Sequence, residues 1–205
     1  MKLNVKHLTY LVAGLALAGC AAAVATRTAT PELPEIGGRA VIQPSAPVAS
    51  RATLVLAGTS IPVHVDQKVQ EDLVTLVMKA QKEVIEVEQY RCGSESFALR
   101  KAAGEVFEPG LPLLRYPVAS GERWSWEGHM TNGSLRQPAR AEVLARSEKI
   151  YLGRDPWESV KVVVDLEVQA DTGTTRRELS FWFVPGKGIV KRSFGPGSAR
   201  LPQAP

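Results

Sequence analysis

The chain has few of the residues that build metal centres and disulfide frameworks. Its 205 residues include only two cysteines and three histidines. Two cysteines cannot form a disulfide framework, so the fold must be stabilised by its core. His7 lies in the apolar N-terminal region, and His64 and His129 remain as candidate bases or ligands. Because a metal site needs three or four ligands, the sequence predicts no metal and no cofactor.

Charge of one sign and catalytic motifs are also scarce. The formal net charge is +4, of which Lys2 and Lys6 at the N-terminus carry two. The remaining excess is too small to indicate a nucleic-acid partner. The run Gly93-Ser-Glu-Ser-Phe97 lacks the second glycine of a nucleophile elbow, and no carboxylate pair is singled out. The sequence therefore predicts no catalytic residues and a protein that is not an enzyme.

The first twenty residues have the pattern of an export signal. Lys2 and Lys6 precede the apolar run Leu8 to Ala18, and small residues follow it. A charged start, a short apolar core and small residues at the cleavage site are typical of a secretory signal, here residues 1–19. The apolar run is shorter than the roughly 20 residues of a spanning helix, which disfavours an uncleaved anchor.

The signal ends in Leu17-Ala18-Gly19-Cys20, which resembles the lipobox of bacterial lipoproteins. In that family the cysteine thiol receives a diacylglycerol, the chain is cut before the cysteine, and the new amine is acylated. The resemblance therefore implies that Cys20 is the lipidation site, with acyl chains such as palmitate as the membrane anchor. Ala21 follows the cysteine, and the absence of Asp there implies sorting to the outer membrane, facing the periplasm. Ordinary cleavage within residues 21–25 is the competing interpretation.

Composition divides the rest of the chain into three parts. Residues 20–50 are rich in Ala, Thr and Pro and are predicted to be a flexible tether. Residues 51–194 are predicted to be a single β-rich domain. Residues 195–205, rich in Gly and Pro, are predicted to be a disordered tail.

Alternation of apolar and polar residues is the main structural signal within 51–194. Valines and a leucine at every second position from Val160 to Val168 interleave with charged residues. This period of two predicts strands, and similar runs lie at 84–90, 94–101, 122–127, 140–152 and 179–183. Pro185-Gly186 fits the centre of a type II turn. Short turns between sequential strands predict a curved antiparallel sheet, as a half-barrel or a sandwich-like meander.

The segment 68–80 allows two interpretations. Val69, Leu73, Leu76, Val77 and Ala80 fit one face of a helix, with Asp66 as its cap. Residues 73–78 can equally form a strand. The helix is slightly favoured, and it would cover one face of the sheet.

A second resemblance covers about residues 111–194. Pro112-Leu-Leu-Arg-Tyr-Pro117, then Gly121-Glu-Arg-Trp-Ser-Trp-Glu-Gly128, and later Phe181-Trp-Phe-Val-Pro-Gly-Lys-Gly-Ile-Val-Lys191 are similar to a pattern in uncharacterised bacterial envelope proteins. The resemblance implies a curved antiparallel sheet, similar in outline to the half-barrels of lipoprotein-carrier proteins. It implies no catalytic residues.

Three tryptophans are the candidate ligand-facing residues. Trp124 and Trp126 share one strand face, and Trp182 lies opposite Phe181 and Phe183. They either fill the core or line a concavity for an apolar ligand, and periodicity does not choose between these alternatives. The leading hypothesis is a non-catalytic envelope lipoprotein that binds or carries a lipid-like ligand or docks an envelope protein. A purely structural module and a hydrolase of envelope polymers are the alternatives.

Overall fold

The computed structural model describes residues 48–56, 59–171 and 173–196. These residues belong to one compact unit. Within the described residues every regular element is a strand, and no helix there is long and apolar enough to cross a membrane. The predicted signal peptide, most of the predicted tether and most of the predicted tail lie outside the described residues.

The described residues form a single antiparallel sheet, in which each strand pairs with its neighbours in the chain. The sheet curls into a half-barrel, which confirms the predicted antiparallel half-barrel. β1 begins before residue 51 and β11 extends past residue 194, so the strands exceed the predicted domain limits slightly on both sides. The strands are β1 (Val48–Leu56), β2 (Thr59–Gln70), β3 (Leu73–Ala80), β4 (Glu83–Cys92), β5 (Ser96–Ala102), β6 (Glu105–Arg115), β7 (Arg123–Asn132), β8 (Leu135–Leu152), β9 (Asp155–Ala170), β10 (Gly173–Val184) and β11 (Gly188–Pro196).

Period-two alternation places one face of each strand in the interior. In β9, Val160, Val162 and Val164 are completely buried, while Lys161 and Asp165 lie partly exposed on the other face. Each fully buried side chain of this size contributes roughly 1.5–3 kcal/mol relative to leaving it in water. The alternating valines therefore fix which face of β9 points inward.

The turn between β10 and β11 has the predicted geometry. The Lys187 N–H donates to the Val184 carbonyl at 2.9 Å, which closes a four-residue turn around Pro185 and Gly186. Gly186 has φ 73°, the left-handed value that the third position of a type II turn requires. The Pro-Gly pair thus sets the register at the start of β11.

The predicted helix at 68–80 is wrong, because this segment forms the hairpin between β2 and β3. Glu71 adopts φ 52° at the turn. Val74, Leu76 and Met78 alternate into the core, and their strand pairs with both β2 and β4. The apolar residues of this segment fit the helical period of 3.6 as well as the strand period of two. Pairing with a strand on each side stabilises the extended form.

Inner-face side chains from distant strands meet inside the half-barrel. Phe97 of β5 contacts Phe183 of β10 edge to face, with ring centroids 5.6 Å apart, and stacks on Tyr90 of β4 at 5.1 Å. Arg192 of β11 reaches Glu88 of β4, with 2.7 Å between Nε and Oε1. Because β5 and β10 are not neighbours in the sheet, and neither are β4 and β11, the Phe97–Phe183 and Arg192–Glu88 contacts hold the curl closed.

Strands β6 and β7 separate along most of their length. They pair from Glu105 opposite Asn132 only as far as Glu108 opposite His129. Beyond that point β6 contains Pro109 and Pro112, which have no N–H to donate. A ladder between the two strands therefore stops at the first proline.

Candidate functional site

A cavity opens at the end of the half-barrel where the β5–β6 hairpin turns. Its volume is about 410 Å³, and its walls are mainly apolar, with Leu99, Phe107, Leu179 and Phe194 among the lining side chains. Small-molecule sites typically occupy roughly 300–1,000 Å³ and are lined in the same way. This cavity is the best candidate binding site in the described part of the chain.

One hairpin and the ends of two further strands form the cavity. Ala102 and Ala103 at the β5–β6 turn have small side chains and leave space beside Leu99. In an antiparallel meander, alternate turns lie at the same end of the sheet, so the start of β10 and the end of β11 meet this turn. Phe194 of β11 stands at the cavity with 41% of its surface exposed, its ring centroid 5.8 Å from that of Phe181.

One ion pair lies within the apolar wall. Nη1 of Arg177 donates to Oε1 of Glu105 at 2.8 Å, and both residues line the cavity. The two side chains are 29% and 11% exposed, respectively. Nη2 of Arg177 lies 2.9 Å from the sulfur of Met130, which is a weak acceptor. The cavity therefore combines an apolar interior with a single partly buried guanidinium–carboxylate pair.

The structure places Trp124 and Trp126 in the gap between β6 and β7. Both are about 95% buried, and their indole N–H groups donate to the carbonyls of Pro112 at 2.9 Å and Pro109 at 3.1 Å. These two bonds take the place of a backbone ladder between β6 and β7 beyond Glu108. Neither tryptophan lines the apolar cavity, although Trp126 packs edge-on against Phe107, which does, at 6.1 Å.

Trp182 lies on the outer face of β10. Its ring is covered by Lys161 and Lys191, whose Nζ atoms lie 4.6 and 4.4 Å from its centroid. Its N–H donates to Glu148 at 3.0 Å. The predicted separation of Trp182 from Phe181 onto opposite faces is present, and the lysine stems leave the ring only 5% exposed.

A second, charged concavity of about 520 Å³ lies on the outer face of β7 to β10. Glu167 of β9 lies between Arg140 of β8 and Arg176 of β10 in the strand register. Arg140 Nη2 is 2.5 Å from Glu167, and Arg176 also contacts it. The hydrogen bond from Arg140 is the main cause that lowers the pKa of Glu167. This row of charges is largely self-compensating.

The neighbouring row brings carboxylates together. Glu142, Asp165 and Glu178 stand opposite one another on β8, β9 and β10. Burial is the main cause that raises the pKa of Asp165. The positive charge of Arg176 opposes this rise, whereas the negative charges of Glu167 and Glu178 add to it. In the described part of the chain, no group of three or more His, Cys, Asp or Glu side chains could hold a metal ion.

The two described histidines lie away from the apolar cavity. Nε2 of His64 is 3.1 Å from Asp66, whose other oxygen accepts from Lys79 at 2.7 Å. The Lys79 hydrogen bond is the main cause that lowers the pKa of Asp66. His129 lies in β7 opposite Glu108, at the last pair before β6 and β7 separate.

Of the two cysteines, only Cys92 lies among the described residues. Cys20, the predicted lipidation site, lies outside the described residues. Cys92 ends β4 on the inner face and is only 4% exposed. This burial fits the role of a small apolar core residue and leaves its thiol inaccessible to a partner chain.

Sequence reasoning singled out none of the cavity residues. Leu99, Glu105, Arg177 and Phe194 come from four strands, and no local spacing connects them. The one available signal was the pair of alanines at a turn, which by itself is commonplace.

The described fold is a curled antiparallel half-barrel with an apolar cavity at one end. Comparison with known proteins finds nothing similar: no family model matches the chain, and neither a curated protein nor a solved structure does. The cavity, its charges and the N-terminal sequence are therefore the basis for a functional proposal.

Proposed function

We propose that this chain is a membrane-anchored envelope lipoprotein that binds an apolar ligand and is not an enzyme. The observation that carries the proposal is the apolar cavity of about 410 Å³ at the end of the half-barrel. Four large apolar side chains line it, so an acyl chain or a similar group would exchange water for hydrocarbon contacts there. Ligand binding needs no nucleophile or metal, in keeping with the sparse inventory of the sequence.

The direction of β1 supports a ligand site and an anchor at opposite ends of the domain. β1 starts at Val48 and runs toward the turn end of the sheet that carries the cavity. Val48 itself therefore lies at the opposite end. A tether from Cys20 would join the domain at that opposite end and leave the cavity accessible from the periplasm.

Native mass spectrometry on the full chain tests this proposal. The protein would be produced in a Gram-negative host and extracted in a mild detergent that does not occur among bacterial lipids. The spectrum would be examined for mass above that of the acylated chain, which indicates a non-covalently bound ligand. Thr175→Trp places an indole in the cavity, because Thr175 lines it. Thr174→Trp is the matched control, since the neighbouring residue points to the other face of β10 and is also exposed.

We expect the wild type and Thr174→Trp to retain the additional mass and Thr175→Trp to lose it. Mass retained equally by all three would place the ligand elsewhere and contradict the cavity assignment. A ligand-free mass in all three would favour the alternative, a purely structural module of an envelope complex.

A further inference from the structure

We infer that the cavity selects an amphiphile with one apolar tail and an anionic head, and that Arg177 binds the head through its guanidinium. This inference rests on the proposed function and names the ligand class of the same cavity. The head is a carboxylate or a phosphate, because both present the paired oxygens that an arginine fork binds.

The hydrogen bonds of Arg177 leave it with capacity for a ligand. A guanidinium carries five N–H donors. One terminal nitrogen donates to Glu105, and the other faces the thioether of Met130, which is a weak acceptor. A carboxylate or phosphate oxygen is a far stronger acceptor for a charged donor.

The remaining donors of Arg177 favour an anion over a cation. The charged side chains that line the cavity are Glu105, Arg176 and Arg177. Arg176 is also held by Glu167 on the outer face, so Arg177 is the cation set among apolar walls. With 29% of its side chain exposed, it remains accessible to an entering head group.

Glu105 then acts as an internal competitor for the same guanidinium. Its carboxylate holds Nη1 at 2.8 Å and neutralises the charge that would attract an anionic head. Glu105→Gln removes the competing charge and should strengthen binding of an anion, whereas Arg177→Gln should weaken it. A purely structural ion pair predicts that both substitutions weaken binding alike.

The experiment uses the full chain in phosphatidylcholine nanodiscs and three clickable photo-crosslinking probes. The probes are dodecanoate, dodecanol and dodecyltrimethylammonium, each with the diazirine at the same carbon. Labelling is counted only in peptides that cover residues 99–107 or 177–195, and half-maximal probe concentrations are compared between variants. Arg91→Gln is the matched control, because Arg91 pairs with Asp72 at 2.6 Å near the opposite end of the sheet.

We expect Arg177→Gln to raise the half-maximal dodecanoate concentration about tenfold, as loss of a charged hydrogen bond predicts. Dodecanol labelling should be unchanged, Glu105→Gln should lower the dodecanoate concentration, and Arg177→Lys should restore part of the loss. Equal labelling by the three probes in every variant would overturn the head-group inference and leave the apolar site standing. Absence of labelling by any probe in the wild type would reject the proposed function itself.

Discussion

At the scale of single residues, Glu88 is a carboxyl group that needs compensation, because it is buried in the apolar core of the described structure. Its side chain is fully enclosed: Oε2 accepts a hydrogen bond from the Tyr90 hydroxyl at 2.7 Å, and Oε1 forms an ion pair with Arg192, 2.7 Å from its Nε. Burial raises the pKa of Glu88, while the charge of Arg192 and the hydrogen bond from Tyr90 oppose that rise. Arg192 therefore offsets much of the cost of placing a carboxylate in an apolar core.

Arg192→Gln should destabilise the protein far more at pH 8 than at pH 4. A carboxyl group whose pKa is raised by folding favours the folded state at low pH, and this contribution is lost as the pH rises through the raised pKa. Without Arg192 the pKa of Glu88 rises further, so the cost at pH 8 should be about 3–5 kcal/mol. Urea unfolding followed by tryptophan fluorescence at both pH values measures the difference.

Two further variants separate this effect from general disruption. Arg91→Gln breaks an exposed ion pair and should cost at most about 1 kcal/mol at either pH. Glu88→Gln combined with Arg192→Gln should remove the additional pH dependence. An equal loss at pH 4 and pH 8 in Arg192→Gln alone would show that the carboxylate is not the cause.

At the scale of elements, the contact between β6 and β7 beyond Glu108 depends on two side chains in place of a ladder. The carbonyls of Pro109 and Pro112 face β7, and both accept from indole N–H groups. Gly128 makes this approach close: a Cβ there would lie 2.6 Å from the Glu108 carbonyl oxygen and 2.6 Å from the Trp126 ring. The glycine thus allows the tryptophan to lie across the gap.

Gly128→Ala should therefore destabilise the protein by about 1–3 kcal/mol, the usual cost of overpacking a filled site. The backbone carbonyl at 2.6 Å cannot move aside as a flexible side chain would. Gly195→Ala is the matched control, since a Cβ there meets nothing within 4 Å. Urea midpoints of the two variants give the comparison, and a Gly128→Ala midpoint equal to that of Gly195→Ala would contradict the close approach.

The strands also show which parts of the fold can be predicted from the sequence. Alternation, as in residues 160–168, predicted a strand because apolar residues recur at every second position, which places them on one face. β6 was missed because its two prolines argue against a strand, and only its position beside the gap accommodates them. Segment 68–80 was misassigned because side-chain spacing is local, whereas pairing with β2 and β4 is not.

The candidate site was less predictable than the fold. Period two placed Trp182 opposite Phe181, but it did not reveal that lysine stems cover Trp182. The cavity pair Glu105 and Arg177 lies 72 residues apart in the chain, so only the curl of the sheet brings it together. Residues that act through tertiary proximity leave no spacing signal in one sequence.

At the scale of the whole molecule, the two cysteines offer a test of where the protein resides. Cys92 is buried in the sheet, while Cys20 carries the lipobox resemblance. One acyl chain gives only marginal membrane binding, whereas two or more on one residue give stable attachment. A single substitution should therefore decide between a membrane-bound and a released protein.

Cells expressing the full chain would be grown with an alkyne analogue of palmitate and fractionated. The wild type and Cys92→Ala should both incorporate the label and sediment with membranes, because Cys92 is enclosed in the core. Cys20→Ala should lose the label and the stable attachment. A label retained in Cys20→Ala would contradict lipidation at that residue. A wild type that is exported without label would instead indicate ordinary cleavage after Cys20, within the small residues at 21–25.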